Sequence, residues 1–586
     1  MGEYLAPGVY VEETSFRAPS IEGVGTSTAA FVGPALTGPI SPSPDTGVDP
    51  TPPELLTSFS DFASIYGSYD DLTLGSKDVT NYLALSVKAF FDNGGSQLYV
   101  SRVFTPASST DKGLATSGTA ADDKVAVTAR FPGSALNDTT VTVSLISAPT
   151  QSVKSLPPGS LLYDPDAKIY YTNGSGSTFT KVGDTATKLD TTALPAKLAL
   201  YTVTVTAPSA SGSTSVYEGL GLDANHPLYV GTVLGQTPPR HIDVLENQIA
   251  FAIGKNLNAA TLAAALFPDT SASTTASFAM SGGNDGAEPV NADYDTALQA
   301  LDALEDIAIV AAPGSSAFTT IPTGSKSSTA DQVINTLIEH VEKTRAYRVA
   351  ILDTPANAIG SDVKTVRSRI DSSYAALYTP WVVMPNPLAR PGTAIPNEIT
   401  IPPSGAMAGI FARNDTQHSV AKAPANEVVL GALRFERNIN FAEQGNLNPL
   451  GINCLRFFPD RGYRVWGART VSSNSEVKYI NVRRYLVYLE HSIDNGTQWA
   501  VFENNGPILW ARVKESVEEF LHNELMEGNL FGTSDAEAYF VRCDRTTMTQ
   551  NDWDNGRMIC LVGVALLKPA EFVIIRIGQK TADARS

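Results

Sequence analysis

Two stretches, DIAIVAAPG (306–314) and YRVAILDTP (347–355), are almost unbroken apolar runs ending in a turn signal. A strand that is apolar at every position must be covered on both faces, which restricts it to the interior of a largely parallel sheet. The chain between and around them keeps supplying helical patterns. DYDTALQALDALE (293–305) places Tyr294, Leu298, Leu301 and Leu304 on one side of a helix, and QVINTLIEHVEKT (332–344) reads as a second helix. VKTVRSRI (363–370) and YAALYTPWVVMP (374–385) repeat the order, so the spacing predicts a doubly wound α/β domain.

An earlier segment has the same character. STAAFVG (27–33) reads as a strand, LTSFSDFASIYG (56–67) and NYLALSVKAFFDNGG (81–95) as helices, and SQLYVSRVF (96–104) as another strand. Between about 106 and 280 the chain turns rich in Ser, Thr, Ala and Gly, and carries short alternating stretches. VTVSLI (141–146), KIYYTN (168–173) and LYTVTVTA (200–207) predict a folded, mostly β insertion. From about 405 the pattern is α+β, with helices expected at YINVRRYLVYLEHSI (479–493) and ILWARVKESVEEFLHNELMEG (508–528).

Both ends of the chain hold isolated strand signals. In LAPGVYVEE (5–13), Val9 and Val11 alternate with Tyr10 and Glu12; in AEFVIIRIGQK (570–580), Phe572 and Ile574 alternate with Val573, Ile575 and Ile577. A short strand at a free end is marginal unless a sheet takes it in.

The chain has 586 residues and a net charge of −18, with 43% hydrophobic and 17% charged residues. That is a globular composition, and its sign disfavours broad binding to nucleic acid or anionic membrane. Residues 430–586 hold 18 Lys+Arg and 19 Asp+Glu, net −1, leaving 24 and 41, net −17, for residues 1–429. The balanced C-terminal part suits a protein-facing surface. Met1-Gly2-Glu3 lacks the basic region and apolar core of a secretory signal, and no apolar run is long enough to span a membrane. Cys454, Cys543 and Cys560 lack CxxC spacing; reduced, buried thiols are expected, with a Cys543–Cys560 bridge as the open alternative.

Motifs of catalysis are weak. Asp353 ends a buried strand and His340 and His418 could complete a Ser-His-Asp set, but no Gly-x-Ser-x-Gly elbow is present, and PPSGAMAG (402–409) reads as a loop. GGNDG (282–286) has neither Walker spacing nor its Lys. His and Cys do not cluster at metal-ligand spacing. FFPDRGYRVWGART (457–470) mixes Arg461, Arg464, Tyr463 and Trp466; a hairpin with cation–π pairs is expected there rather than a nucleic-acid platform. No catalytic, cofactor or metal residue is assigned.

The chain resembles contractile tail sheath proteins of phages and of extracellular contractile injection systems. The resemblance runs nearly end to end, through PGVYVEE (7–13), GVGTSTAAFVGPA (23–35), KAFFDNGGSQLYVSRV (88–103), ARFPGSALND (129–138), SGGNDG (281–286) and RVAILDTP (348–355). It continues through YTPWV (378–382), PPSGAMAGIFARND (402–415), KAPAN (422–426), NPLGINCLRFFPDRGYRVWGART (448–470) and FENNGPILWARV (502–513). TQHSV (416–420) departs from it, since the family tends to have a basic residue and Gly before the Val.

The resemblance implies a multidomain α/β and α+β architecture. An N-terminal arm (1–20) precedes a middle α/β domain built from 21–105 with 287–400. An outer β-rich insertion covers 106–286, an inner α+β domain 401–565, and a C-terminal arm 566–586. It also implies a non-enzymatic subunit that polymerises into a helical sheath, six-start in the family, by lending both arms to neighbours. The arm residues are then Val9, Tyr10, Val11 and Glu12, and Phe572, Val573, Ile574, Ile575 and Ile577. Implied partners are other copies, an inner tube protein, a baseplate and terminal cap proteins, with no nucleic acid and no membrane insertion. Assembly in the cytoplasm is expected, in a phage tail or a phage-like particle that can be released from the cell. Helix 508–528 offers Lys514, Glu515, Glu518 and Glu519, outside its apolar stripe, as a tube contact. The alternatives are a static shell or S-layer protein and a hydrolase-like enzyme on residues 282–400.

Overall fold

The computed structural model describes residues 20–40, 53–108, 110–118, 124–174, 178–268, 274–322 and 327–576. The N-terminal strand signal at 5–13, and Ile577 with the residues after it, lie outside the described residues.

A sheet of eight strands organises the molecule. Its parallel strands are β1 (Ala29–Pro34), β2 (Leu98–Val103), β3 (Ile309–Ala311), β4 (Val349–Asp353), β5 (Ala375–Thr379) and β6 (Ile452–Phe458), in the spatial order β2-β1-β3-β4-β5-β6. Both edges close antiparallel, with Leu55–Leu56 on β2 and β7 (Gly462–Val465) on β6. Every residue of β3, β4 and β5 is buried. Their side chains alternate between two cores. Phe31, Ile309, Ile351 and Tyr378 face one core; Val32, Val310, Leu352 and Leu377 face the other.

Helices lie on both faces, as a parallel sheet requires. On one side pack α1 (Phe59–Tyr66), α2 (Tyr82–Asp92) and, from later in the chain, α6 (Ser404–Gln417). On the other pack α3 (Asn291–Gln299), α4 (Thr329–Val341) and α5 (Gly360–Arg367). The caps are those the sequence supplies: Ser58 accepts from the Asp61 N–H, Asn81 from the Ala84 N–H, and Ser328 from the Asp331 N–H.

Three sequence expectations are altered. The helix at 293–305 stops at Gln299, because the Arg348 guanidinium donates to the Leu301 and Leu304 carbonyls and draws those residues into turns. PPSGAMAG is not a loop: from Ser404 it forms the first turns of α6. Glycine is needed there because α6 crosses α2 at backbone contact. A Cβ on Gly405 would lie 2.6 Å from the Ser86 carbonyl oxygen, and one on Gly409 2.3 Å from that of Phe90. Third, the central sheet takes β6 and β7, and its α6 layer, from beyond the expected boundary at 400.

The Ser/Thr-rich insertion forms its own antiparallel sheet, centred on Thr140–Pro149 and Ala199–Pro208, with a separate core. Residues Ala199–Pro208 alternate strictly between buried and half-buried. The GGNDG turn fastens this insertion. Buried Asp285 accepts from the Thr73 N–H at 2.9 Å, the Ser134 N–H at 2.8 Å and the Ser134 hydroxyl at 3.0 Å.

The rest of the chain is a smaller body with its own core. It holds α7 (Ile480–Gly496), α8 (Pro507–Met526) and a hairpin of β8 (Tyr539–Arg542) and β9 (Leu561–Val564). Ile21, at the start of the described chain, is buried in that core. A buried ion pair links this body to α6: the Arg484 guanidinium donates to both Asp415 carboxylate oxygens, at 2.9 and 2.5 Å, and to the Thr26 carbonyl.

Replacing Gly409 with alanine is expected to lower stability by about 2 kcal/mol, the ordinary effect of overpacking a close contact. The denaturation midpoint of the purified chain measures it, and an unchanged midpoint would mean that α2 and α6 part freely.

Candidate intersubunit surface

The last described residues leave the molecule through a polar clamp. The Glu571 carboxylate accepts from the Arg469 guanidinium at 2.8 and 2.5 Å, the Asn448 amide at 2.6 Å and the Tyr479 hydroxyl at 2.9 Å. Burial pushes this carboxyl up, but the hydrogen bonds from Arg469, Asn448 and Tyr479 outweigh it and hold it below its ordinary range. The Arg469 side chain is 6% exposed and donates its third bond to the Asn448 carbonyl.

Immediately beyond the clamp, Phe572, Val573, Ile574 and Ile575 are 72%, 76%, 79% and 78% exposed. Four consecutive apolar side chains in water are the reverse of what a globular surface tolerates. No ladder partner accompanies them among the described residues, so AEFVII joins no sheet there. A cleft of about 1010 Å³ opens beside the segment, lined by Ala423, Phe441, Trp466, Tyr479, Leu567 and Pro569. Phe441, at its rim, is 83% exposed.

The hairpin of β8 and β9 is similarly incomplete. It is a two-stranded sheet, with Tyr539 paired to Val564 and Arg542 to Leu561. Helix α8 covers the Tyr539 and Val541 side of it, through Val513, Val517 and Phe520. The cover falls short over β9: Val562, on the same face as Val541, stays 38% exposed, and Phe540 and Leu561 on the opposite face are 57% and 48% exposed. A third strand beside β9 would find free backbone groups and an apolar seat.

On α8 the apolar stripe is the expected one, with Val513, Val517, Phe520 and Leu521 buried. Glu515 and Glu519 are exposed, and Lys514 pairs with Glu518 at 3.6 Å one turn away. Buried Glu524 faces inward, accepting from the Tyr485 and Tyr488 hydroxyls at 2.7 Å each. Farther along the surface, Phe502 is fully exposed on a left-handed backbone, φ 67°.

The residues weighed for catalysis have other employment. The Asp353 carboxylate accepts from the Ser404 N–H at 2.8 Å and the Ser404 hydroxyl at 2.5 Å, anchoring the first turn of α6. Burial pushes that carboxyl up to about 7, against the hydrogen bonds from Ser404. His340 shares a 2.8 Å hydrogen bond with Arg348, and burial lowers it to about 4. His418 is exposed at the end of α6. The 457–470 segment is the expected hairpin, with Arg461 lying 4.6 Å from the centre of the Phe458 ring and 5.0 Å from that of Trp466. Among the described residues no His, Cys, Asp and Glu side chains converge as a metal site, and no helix is long and apolar enough to cross a membrane.

Sequence reasoning missed the Glu571 clamp. Its one signal is a lone carboxylate directly before an apolar run, and its partners lie 92, 102 and 123 positions away along the chain.

Comparison with known proteins places these surfaces in context. Residues 287–471 match the phage tail sheath protein central domain, and residues 472–580 the phage tail sheath C-terminal domain. A prophage major tail sheath protein of Pseudomonas aeruginosa is 28% identical over 131 residues, which is 22% of this chain and 34% of that protein. The match therefore spans about a third of that relative's length. The fold is that of the sheath in a contracted extracellular contractile injection system, PVC: TM-score 0.52, 18% identity, 99% of each chain. It is also that of the contracted helical sheath of the anti-feeding prophage: TM-score 0.51, 21% identity, 99% of this chain and 100% of that one. The two matched family domains run without a gap from 287 to 580, half of the chain, and the chain belongs to the contractile tail sheath family.

Proposed function

We propose that this chain is a sheath subunit which polymerises around an inner tube by donating its terminal strands to neighbouring copies. The observation that carries the reading is the run Phe572–Ile575, rooted at Glu571 and left exposed beyond it. A strand fixed at its base and bare along its length is built for another molecule's sheet. The hairpin β8/β9 is the receiving edge that the same chain offers to a neighbour, with Val562 and Phe540 under the incoming side chains. Residues Val9, Tyr10, Val11 and Glu12 supply a second donated strand, and Ile577 extends the first. Donor and acceptor are different surfaces, so the contact is heterologous and propagates into an open helix.

The polymer shortens in this reading. Two proteins of the same fold are sheaths captured in a contracted state, which favours a moving sleeve over a static shell. Contraction drives the inner tube through a target envelope, with work stored in an extended, metastable assembly. Baseplate and terminal cap proteins hold its ends. Lys514, Glu515, Glu518 and Glu519 on α8 form the contact with the tube; exposed charges suit a grip that must release. Catalysis has no part in this, since Asp353 is committed to the start of α6.

Electron microscopy of the purified full chain is expected to show helical tubes, while a chain ending at Glu571 stays monomeric with an unchanged circular dichroism spectrum. Tubes formed by the shortened chain would remove the donated-strand reading, and its failure to fold would show the segment to be part of the subunit core. Charge reversal at both Glu515 and Glu518 is expected to leave sheaths that assemble without a tube; normal co-assembly would move the tube contact elsewhere.

The clamp has its own signature. Replacing Glu571 with alanine leaves the Arg469 charge buried without its carboxylate, a loss of about 3 kcal/mol, the low end for breaking a buried pair. The folded-state carboxyl titrates below its unfolded value, so its contribution is complete above the ordinary Glu range near pH 4.3 and fades as pH falls through the lower folded value. The stability gap between wild type and E571A, from urea midpoints, should hold from pH 8 to 6 and shrink below about pH 4.3.

A further inference from the structure

The register of the receiving hairpin brings two thiols face to face. Strands β8 and β9 pair Tyr539 with Val564, Phe540 with Gly563, Val541 with Val562 and Arg542 with Leu561. The ladder ends there, and the same register carried one residue further would set Cys543 opposite Cys560. Directly opposed residues in an antiparallel pair have Cα atoms about 4.5–5.5 Å apart, inside the roughly 4.4–6.8 Å that a disulfide spans. Both side chains point to the α8 side, in the same apolar cluster as Val541 and Val517. The two thiols are near enough to influence one another's ionisation. Cys543 is 5% exposed, Cys560 is half-buried, and both are thiols in this structure.

We infer that Cys543 and Cys560 form a peroxide-sensitive dithiol, whose oxidation staples the β8–β9 hairpin shut across its open end. The chemistry follows from that proximity. Interaction with Cys560 holds the Cys543 thiol below its ordinary range, while the same interaction and burial push Cys560 up. The Cys543 thiolate is therefore the attacking group. It attacks one oxygen of hydrogen peroxide; the S–O bond forms, the O–O bond breaks, and the departing hydroxide takes up the first thiol's proton as water. The Cys560 sulfur then attacks the sulfenic sulfur; the S–S bond forms, the S–O bond breaks, and a second water leaves with the Cys560 proton. Two thiols give up two electrons, which peroxide accepts. The third cysteine is an internal control. Cys454 is fully buried in the central sheet, and burial pushes its thiol up to about 12.

The bridge would close residues 544–559, a segment with the short helix Gln550–Asp554 and otherwise turns, onto the hairpin. Its effect falls on the edge that accepts a neighbour's strand. Oxidation leaves the pairing of β8 and β9 in register and withdraws freedom from the loop that joins them, so the acceptor is set before the donated strand arrives. The inference stands on the hairpin's register alone and does not need the polymer.

Treating the full-length reduced chain with a few equivalents of hydrogen peroxide tests it. The expected product is a single polypeptide lighter by two hydrogens, with one free thiol of the original three, a Cys543–Cys560 link by peptide mapping, and full reversal by dithiothreitol. After proteolytic nicking within 544–559, its two fragments should stay joined on a non-reducing gel and separate on a reducing one. The C560S variant should form no intramolecular bridge and progress to sulfinic acid at Cys543. Three thiols surviving in the wild type, a link that uses Cys454, a link between chains, or sulfinic acid at Cys543 of the wild type would each overturn the inference.

Discussion

A β-strand is half of an interaction, and every backbone N–H and C=O on its edge must be answered by another strand or by water. The central sheet and the β8/β9 hairpin meet that demand differently. The central sheet ends each edge with a short antiparallel strand, Leu55–Leu56 on one side and β7 on the other. It completes itself within one chain. The β8/β9 hairpin stops at two strands, and the Phe572–Ile575 segment has no ladder of its own. That hairpin belongs to the smaller body, where the chain's charges are nearly balanced, while the acidic excess lies in residues 1–429.

Both ends of the described chain are fixed to the body by specific contacts. Glu571 does this at one end by gathering donors from three separate places, with Arg469 buried so that its own charge requires the carboxylate. At the other end Ile21 is buried beside α7, and Gly23 passes so close to it that a Cβ would overlap the Tyr488 hydroxyl oxygen at 2.2 Å. The Arg484–Asp415 pair then locks α7 to α6 and to Thr26. Such a pair is costly to desolvate, and its value lies in admitting one arrangement of the groups around it. Glu571, through Tyr479 at the start of α7, and Ile21, beside Gly496 at its end, are thus set against the same helix.

Much of this was legible in the residues, for identifiable reasons. Strands apolar at every position can only be interior, so β3, β4 and β5 were readable without any structure. The alternation in Ala199–Pro208 and the stripe of α8 carry their own periods. The failures also have causes. PPSGAMAG looks like a loop because Gly and Pro are poor helix formers, yet the helix survives because only Gly lets α2 approach. Helix α3 ends early on account of Arg348, some fifty residues later. A Cys543–Cys560 bridge stood as an open alternative in the sequence, and it takes the register of a hairpin with a long, irregular connection to bring the two residues opposite one another.

The exposed run beyond Glu571 also bounds the energetics of assembly. Burying one Phe, Val or Ile side chain is worth about 1.5–3 kcal/mol relative to leaving it in water. A docked strand would bury the alternate side chains that face its acceptor, and would lose about 1–2 kcal/mol of backbone entropy for each residue fixed. Those terms nearly cancel. One donated strand alone would hold two subunits only weakly, and reversibly. Tight association needs each subunit to give and to receive at once, so that added contacts fall on chain segments already ordered by the first. That is the behaviour of a lattice, which is stable once built and dissolves as free subunits.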